Sequence, residues 1–291
     1  MDLLSIDSLT DDEIGQILDR ALALHARPGE TVGGLSGKIV FNLFYENSTR
    51  TLMSFATAAH RLGASAITLP VEQSSVKKGE TLEDTARTLN AMHPDALVIR
   101  HRENGAAAAV ALIMDAPVIN AGDGTNEHPT QALLDAAAIL DRFGKFGGLK
   151  IAICGDIKHS RVARSNAKLL PRLGAEVRLA GPPELMPDGN PPLSVDEAID
   201  GAEVVMMLRV QRERLDEDLG DAPGEYLSRY GLTAERLARA APNAAVMHPG
   251  PMNRGVEIDG AIADDPERSL VILQVEMGVA VRMACLEMLV A

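Results

Sequence analysis

Two rhythms of apolar residues alternate along this chain. Eight short runs rich in Val, Ile, Leu and Ala lie at 38–44, 65–69, 95–100, 116–120, 149–154, 175–180, 203–208 and 244–248. Such continuous runs read as strands buried on both faces. Between them, apolar positions recur at helical spacing over 50–62, 81–91, 130–142, 160–173 and about 275–290. The β-then-α order predicts an α/β protein. Uneven spacing argues against one eight-stranded barrel. The Gly-rich, charged stretch "DRFGKFGGLK" at 141–150 breaks the pattern near mid-chain. The expectation is two doubly wound domains, each a mainly parallel sheet flanked by helices, joined by the helix at 130–142. "AAAAVAL" at 106–112 is a good helix former and no repeat.

Composition narrows the class without naming a function. The 291 residues are 46 % hydrophobic and 24 % charged, and no run approaches the roughly 20 apolar residues of a membrane span. "MDLLSIDSLTDDEIGQIL" is acidic and amphipathic, unlike a targeting peptide. Cys154 and Cys285 are too few and too far apart for a disulfide framework or metal cluster. A cytoplasmic, reduced setting follows. The formal charge of −13 argues against nonspecific binding of nucleic acid or acidic membranes. Any anion must therefore be met by basic groups gathered locally, beside turns and helix starts.

One such gathering interrupts "FNLFYENSTRTLMSF" at 41–55, where Ser48, Thr49, Arg50 and Thr51 stand between a strand and a helix. A Ser or Thr there is an ordinary helix cap. Capping leaves Arg50 unexplained, because a cation opposes the dipole at a helix N-terminus. Unpaired N–H groups, two or more hydroxyls and a guanidinium together suit a phosphate.

Further polar islands follow the other strands. In "PVEQSSVKKGETLEDT", Thr81 and Asp84 form a candidate capping box, leaving Ser74, Ser75, Lys77 and Lys78 in what reads alone as a solvated loop. Arg100 and His101 end a strand. In "NAGDGTNEHPTQALLD", Pro129 suits a first helical turn, with His128 at the start and Gln131 one turn on; His128 alone reads equally as a cap. "ICGDIKHSRVARSN" has one Gly and a crowded basic loop, a poor dinucleotide turn, and no Walker P-loop is present. Arg161 begins the helix after that strand. Arg209 and Gln211, two apart, share a side if the chain stays extended. "VMHPGPMNRGVEI" is stiffened by two prolines that expose the carbonyls of Gly250 and Pro251. Its Arg254 and Glu257 suit either a ligand or an ion pair within the loop.

Taken together, "FYENSTRT", "SSVKKGETLEDT", "VIRH", "AGDGTNEHPTQALLD", "GDIKHSRVARSN", "LRVQRER" and "HPGPMNRGVEI" resemble the aspartate branch of the carbamoyltransferase family, in order and over nearly the whole chain. The shorter bacterial form is the nearest match. Gly250 stands where some relatives carry a bulkier residue, which a backbone carbonyl tolerates. The resemblance implies carbamoyl transfer from carbamoyl phosphate to the amino group of L-aspartate, in pyrimidine synthesis, without metal, cofactor or covalent intermediate. It implies a carbamoyl-phosphate domain over 1–135, an aspartate domain over 136–274, and a last helix, 275–291, packing back on the first. Members are trimers with sites shared between subunits, and some bind regulatory chains or a dihydroorotase.

The same resemblance assigns roles. Ser48, Thr49, Arg50 and Thr51 would hold the phosphate, and Thr51, Arg100 and His128 the carbonyl oxygen. Gln131 and the carbonyls of Gly250 and Pro251 would accept from the carbamoyl NH₂. Arg161, Arg209 and Gln211 would take aspartate, whose two carboxylates call for fixed cations. Ser74 and Lys78 would arrive from a neighbouring subunit, which displaces the solvated-loop reading. The departing phosphate would take the amine's proton. Two rivals remain in view. An ornithine enzyme would need a carboxylate for the acceptor's ammonium and typically shows an HCLP turn and an SMG loop, whereas this turn is HPGP. A silent homologue kept as a structural partner would be expected to lose Arg50, Lys78, His128 or Arg161, all present here.

Overall fold

The computed structural model describes residues 1–71, 75–189, 193–210 and 224–290. It divides into two compact units, Met1–Asp141 with Val275–Ala291, and Arg142–Gln274. Each contains one four-stranded sheet.

In the first unit the strands are β1 (Ile39–Phe44), β2 (Ser65–Leu69), β3 (Ala96–His101) and β4 (Val118–Asp123), in the order β2-β1-β3-β4. All three pairings are parallel. The helices are α1 (Asp11–His25), α2 (Thr49–Arg61), α3 (Leu82–Asn90), α4 (Ala106–Ala111), α5 (Pro129–Phe143) and, from its fifth residue on, the last helix of the chain. One face of the sheet, carrying Phe41, Leu43, Leu97 and Ile99, packs with Ala86 and Leu89 of α3 and Ala107 and Val110 of α4. α1 starts with a full capping box between Thr10 and Glu13, which satisfies two donors that a helix start otherwise leaves unpaired.

The second unit repeats the plan with β5 (Lys150–Cys154), β6 (Glu176–Ala180), β7 (Val204–Met207) and β8 (Ala245–Met247), ordered β6-β5-β7-β8 and all parallel. Its helices are α6 (Arg161–Arg172), α7 (Val195–Ile199), α8 (Glu225–Tyr230), α9 (Ala234–Leu237) and α10 (Gly260–Ala263). The last helix, α11 (Val271–Val290), follows them. Ala152, Cys154, Val205, Met207 and Val246 form a core with Ala198, Ile199, Leu237 and Ile262.

Eight strands therefore stand where the apolar runs predict them, in two sheets and not a barrel. β4 departs most, starting at Val118 and running to Asp123 instead of covering 116–120. Pro117 has no N–H to give the ladder, while the polar end is held in place after a bulge by pairing of Asp123 with His101. Asn120 Nδ2 donates to Asp123 Oδ1 at 2.8 Å, which secures that end from the side chains. The expected capping box at Thr81 is half formed. Thr81 Oγ1 accepts from the Asp84 N–H at 3.1 Å, but its partner contact runs from the Thr81 hydroxyl to Asp84 Oδ2 at 2.9 Å.

In both sheets the strand order, not the strand direction, reverses at the first strand. β1 has β2 on one side and β3 on the other; β5 stands likewise between β6 and β7. In open parallel sheets the crevice beyond the carboxyl ends of such a strand pair is where ligands bind.

Candidate active site

At the carboxyl end of β1 the chain turns into α2. Ser48 is the N-cap, extended at φ −155° and ψ 96°, yet its side chain makes no capping hydrogen bond. The ordinary-cap reading of Ser48 is thus wrong, and Thr49 is the first helical residue. The first-turn N–H groups of α2 therefore lack a cap from the Ser48 side chain, and helix starts left in that state attract anions. Thr49 and Arg50 are exposed, and among the described residues the Arg50 guanidinium has no hydrogen bond or ion pair. Thr51 is 5 % exposed.

Two neighbouring elements bring further groups to this corner. Arg100 lies near the end of β3 opposite Phe44, and its carbonyl accepts from the Tyr45 N–H at 2.8 Å. Its guanidinium pairs with Glu46 at 3.3 Å and donates to the Ala121 carbonyl at 3.3 Å. His128 immediately precedes α5, is 3 % exposed, and sets Nε2 3.5 Å from Thr51 Oγ1. Gln131, in the first turn of α5, donates through Nε2 to Oδ1 of the fully buried Asp135 at 2.9 Å. Glu127, Asp123 and Asn120 brace the loop that delivers His128: Asp123 Oδ1 accepts from the Glu127 N–H at 3.1 Å, and Glu127 Oε2 from the Ile6 N–H at 2.9 Å. Lys78 ends a single 3₁₀ turn, Ser75–Lys78, and is exposed. Ser74 lies outside the described residues.

The second unit has the matching corner. Gly155 closes β5 with φ +132°; a Cβ there would stand 3.0 Å from the Leu208 carbonyl, so the strand ends can approach only with glycine. Asp156 follows, buried, and its carboxylate holds His159 Nδ1 at 3.0 Å. Ser160 then caps α6 by accepting from the Ala163 N–H at 3.1 Å, which puts Arg161 in the first turn. Arg209 is half-buried two residues beyond β7, the strand paired to β5. Gln211 lies outside the described residues.

After β8 comes the HPGP turn, with a cis Gly250–Pro251 bond and Gly250 at φ +67°. His248 Nδ1 accepts from the Gly250 N–H at 2.8 Å, so the proton of the neutral ring sits on Nε2 and faces Glu257 Oε1 at 3.3 Å. Glu257 and His248 are fully buried, and Glu257 also accepts from the Asn253 N–H. Arg254 instead binds Asp264 through two contacts of 2.6 and 2.7 Å. Both residues of the expected Arg254–Glu257 pair are engaged, but with other partners, and they hold the turn.

Sequence reasoning passes over three groups beneath the first corner: Ser54, Asp135 and Arg282. Arg282 is the one basic residue of α11, and a lone cation between apolar neighbours is the signal that would have found it. It is 3 % exposed, and burial pulls its pKa down to about 10 against the opposing pull of Cys285 and Asp135.

The uncapped start of α2 beside Arg50 in one unit, and Arg161 and Arg209 beyond strand ends in the other, suit a protein that handles anionic ligands. Residues 1–141 match the Aspartate/ornithine carbamoyltransferase, carbamoyl-P binding domain, and residues 147–289 match the Asp/Orn binding domain. The chain belongs to the aspartate/ornithine carbamoyltransferase family. Within it, the chain is 55 % identical to the aspartate carbamoyltransferase catalytic subunit of Rhodospirillum rubrum, over 99 % of this chain and 93 % of that one. It is 56 % identical to the subunit of that name from Rhizorhabdus wittichii, over 99 % and 94 %. Among solved structures, the aspartate transcarbamoylase of Trypanosoma cruzi in complex with N-(phosphonacetyl)-L-aspartic acid superposes with a TM-score of 0.89 at 32 % identity, covering 100 % of this chain and 96 % of that one. The ornithine carbamoyltransferase of Pyrococcus furiosus superposes at 0.87 with 27 % identity, over 99 % and 96 %.

Proposed function

We propose that this chain transfers the carbamoyl group of carbamoyl phosphate to the amino group of L-aspartate, forming N-carbamoyl-L-aspartate and phosphate for pyrimidine synthesis. The observation that carries the reading is the open start of α2, where Ser48 makes no side-chain capping bond and Arg50 has no partner among the described residues. The identity above 50 % to aspartate carbamoyltransferase catalytic subunits supports aspartate as acceptor over ornithine.

The first-turn amides and hydroxyls of Ser48, Thr49 and Thr51 hold the phosphate, with Arg50 as a bidentate cation. Thr51, Arg100 and His128 surround the carbonyl oxygen, which becomes an oxyanion when the amine attacks. Gln131 and the carbonyls of Gly250 and Pro251 accept from the carbamoyl NH₂. Arg161 and Arg209, with Gln211, bind the two carboxylates of aspartate. The aspartate nitrogen attacks the carbonyl carbon, the carbon–oxygen bond to phosphate breaks, and the leaving phosphate removes the proton. Holding two mutually repelling anions in line supplies much of the rate.

The active form is a homotrimer in the cytoplasm, with Lys78 and Ser74 supplied across the subunit interface. Regulatory chains and a dihydroorotase are the candidate partners. The test is phosphate release with carbamoyl phosphate and either L-aspartate or L-ornithine, for wild type and Arg161→Ala. Aspartate-dependent turnover nearly abolished by the substitution supports the reading. Turnover with ornithine instead overturns the acceptor, and no turnover from a folded trimer overturns the enzyme.

A further inference from the structure

Beneath the start of α2 lies a buried polar chain. Arg282 Nη1 donates to Ser54 Oγ at 2.7 Å and to the Gly278 carbonyl at 3.2 Å, with the guanidinium 5.0 Å over the Phe55 ring. Ser54 Oγ donates in turn toward the carbonyls of Arg50 at 2.6 Å and Thr51 at 3.0 Å, which share its one hydrogen. Asp135, four residues after Gln131 and so on the same helix face, is fully buried and within electrostatic reach of Arg282.

A carboxylate kept charged is an acceptor only. The end of Gln131 that meets it must therefore be the NH₂, as observed at 2.9 Å. The carbonyl oxygen is then the end turned away from Asp135. We infer that Asp135 is a positioning residue that fixes the Gln131 amide with its oxygen toward the substrate and so selects a carbamoyl NH₂ over a methyl group. This rests on the proposed role of Gln131 in the carbamoyl-phosphate site. Without the carboxylate, the amide is free to present either end. An asparagine at 135 offers one oxygen and one NH₂ in place of two acceptors, so it can meet the Gln131 amide either way round.

The discriminating readout is ligand selectivity in the full-length enzyme, measured as the KM for carbamoyl phosphate and as competition by acetyl phosphate and inorganic phosphate. For Asp135→Asn, carbamoyl phosphate is expected to weaken roughly 10–100-fold, while the other two stay within about twofold. Asp135→Ser provides a second variant, which removes the carboxylate without placing an amide beside Gln131. It is expected to give the same selective loss, and it decides the matter if Asp135→Asn does not fold. Equal weakening of all three ligands would mean a structural role only and overturn the inference, as would unchanged carbamoyl phosphate affinity. A wild type with no preference for carbamoyl over acetyl phosphate would overturn the reading of Gln131 itself, and this inference with it.

Discussion

Thr51 Oγ1 and His128 Nε2 stand 3.5 Å apart, although 77 residues separate them in sequence and each comes from the start of a different helix. A contact at that limit is weak as a hydrogen bond, so neither group is held closely by the other. In the proposed reaction, donors of this kind tighten when the carbonyl oxygen arrives. His128→Ala is accordingly expected to lower kcat by about 10²–10³-fold with a smaller change in KM for carbamoyl phosphate. Steady-state kinetics check the split; a loss confined to KM would place His128 in ground-state binding alone.

Arg50 offers the opposite balance. Its guanidinium supports no other part of the fold among the described residues, so Arg50→Ala should leave the melting temperature unchanged within a degree or so. The loss of a bidentate, charge-assisted contact should raise KM for carbamoyl phosphate at least about tenfold. Calorimetry and kinetics on one preparation test the separation, and a clear fall in Tm would contradict it.

His101 is 7 % exposed, and its pKa is lowered below 6.5 chiefly by burial. Its Nδ1 accepts from the Glu103 N–H at 3.1 Å, which also favours the neutral ring. The unfolded chain binds this proton more readily than the folded one, so stability is lost as pH falls from about 6.5 through the lowered value. Denaturant titrations at pH 7.5 and pH 5 should show that loss, and His101→Asn should reduce it. An identical pH dependence in the variant would exclude His101 as its source.

Burial pushes the thiols of Cys154 and Cys285 up to about 12, and both side chains are essentially inaccessible. The nucleophile is the thiolate. Neither residue should react with an alkylating reagent at pH 8 on the timescale of an assay, and both should react in denaturant. Mass spectrometry of intact protein reads this directly, and modification of the native enzyme would refute it.

The apolar runs at 39–44 and 150–154 are legible because strands buried on both faces need no partner-dependent reading. The NSTRT turn was legible because a cation at a helix start conflicts with its dipole. The short helices α8, α9 and α10, of four to six residues, escape a periodicity argument that needs several turns. Asp123 was hidden differently, since its place in β4 depends on a bulge opposite His101. Arg282 was hidden by distance, because its partner Ser54 is 228 residues earlier. The fate of Arg254 likewise turned on Asp264, a residue outside the motif that contained it.

Arg282 also bears on the order in which the chain becomes whole. Arg20 of α1 meets Glu287 of α11 through two contacts of 2.6 and 2.8 Å, close in sequence to the Arg282–Ser54 bond. Domains generally fold as units during synthesis, N-terminal first. Here the segment Arg142–Gln274 is continuous and can close on itself as it leaves the ribosome. The unit begun first is completed only after that segment, because the helix packed beneath the start of α2 follows it in sequence. A nascent chain stalled before residue 282 would thus carry the whole NSTRT sequence without the buried cation that supports it.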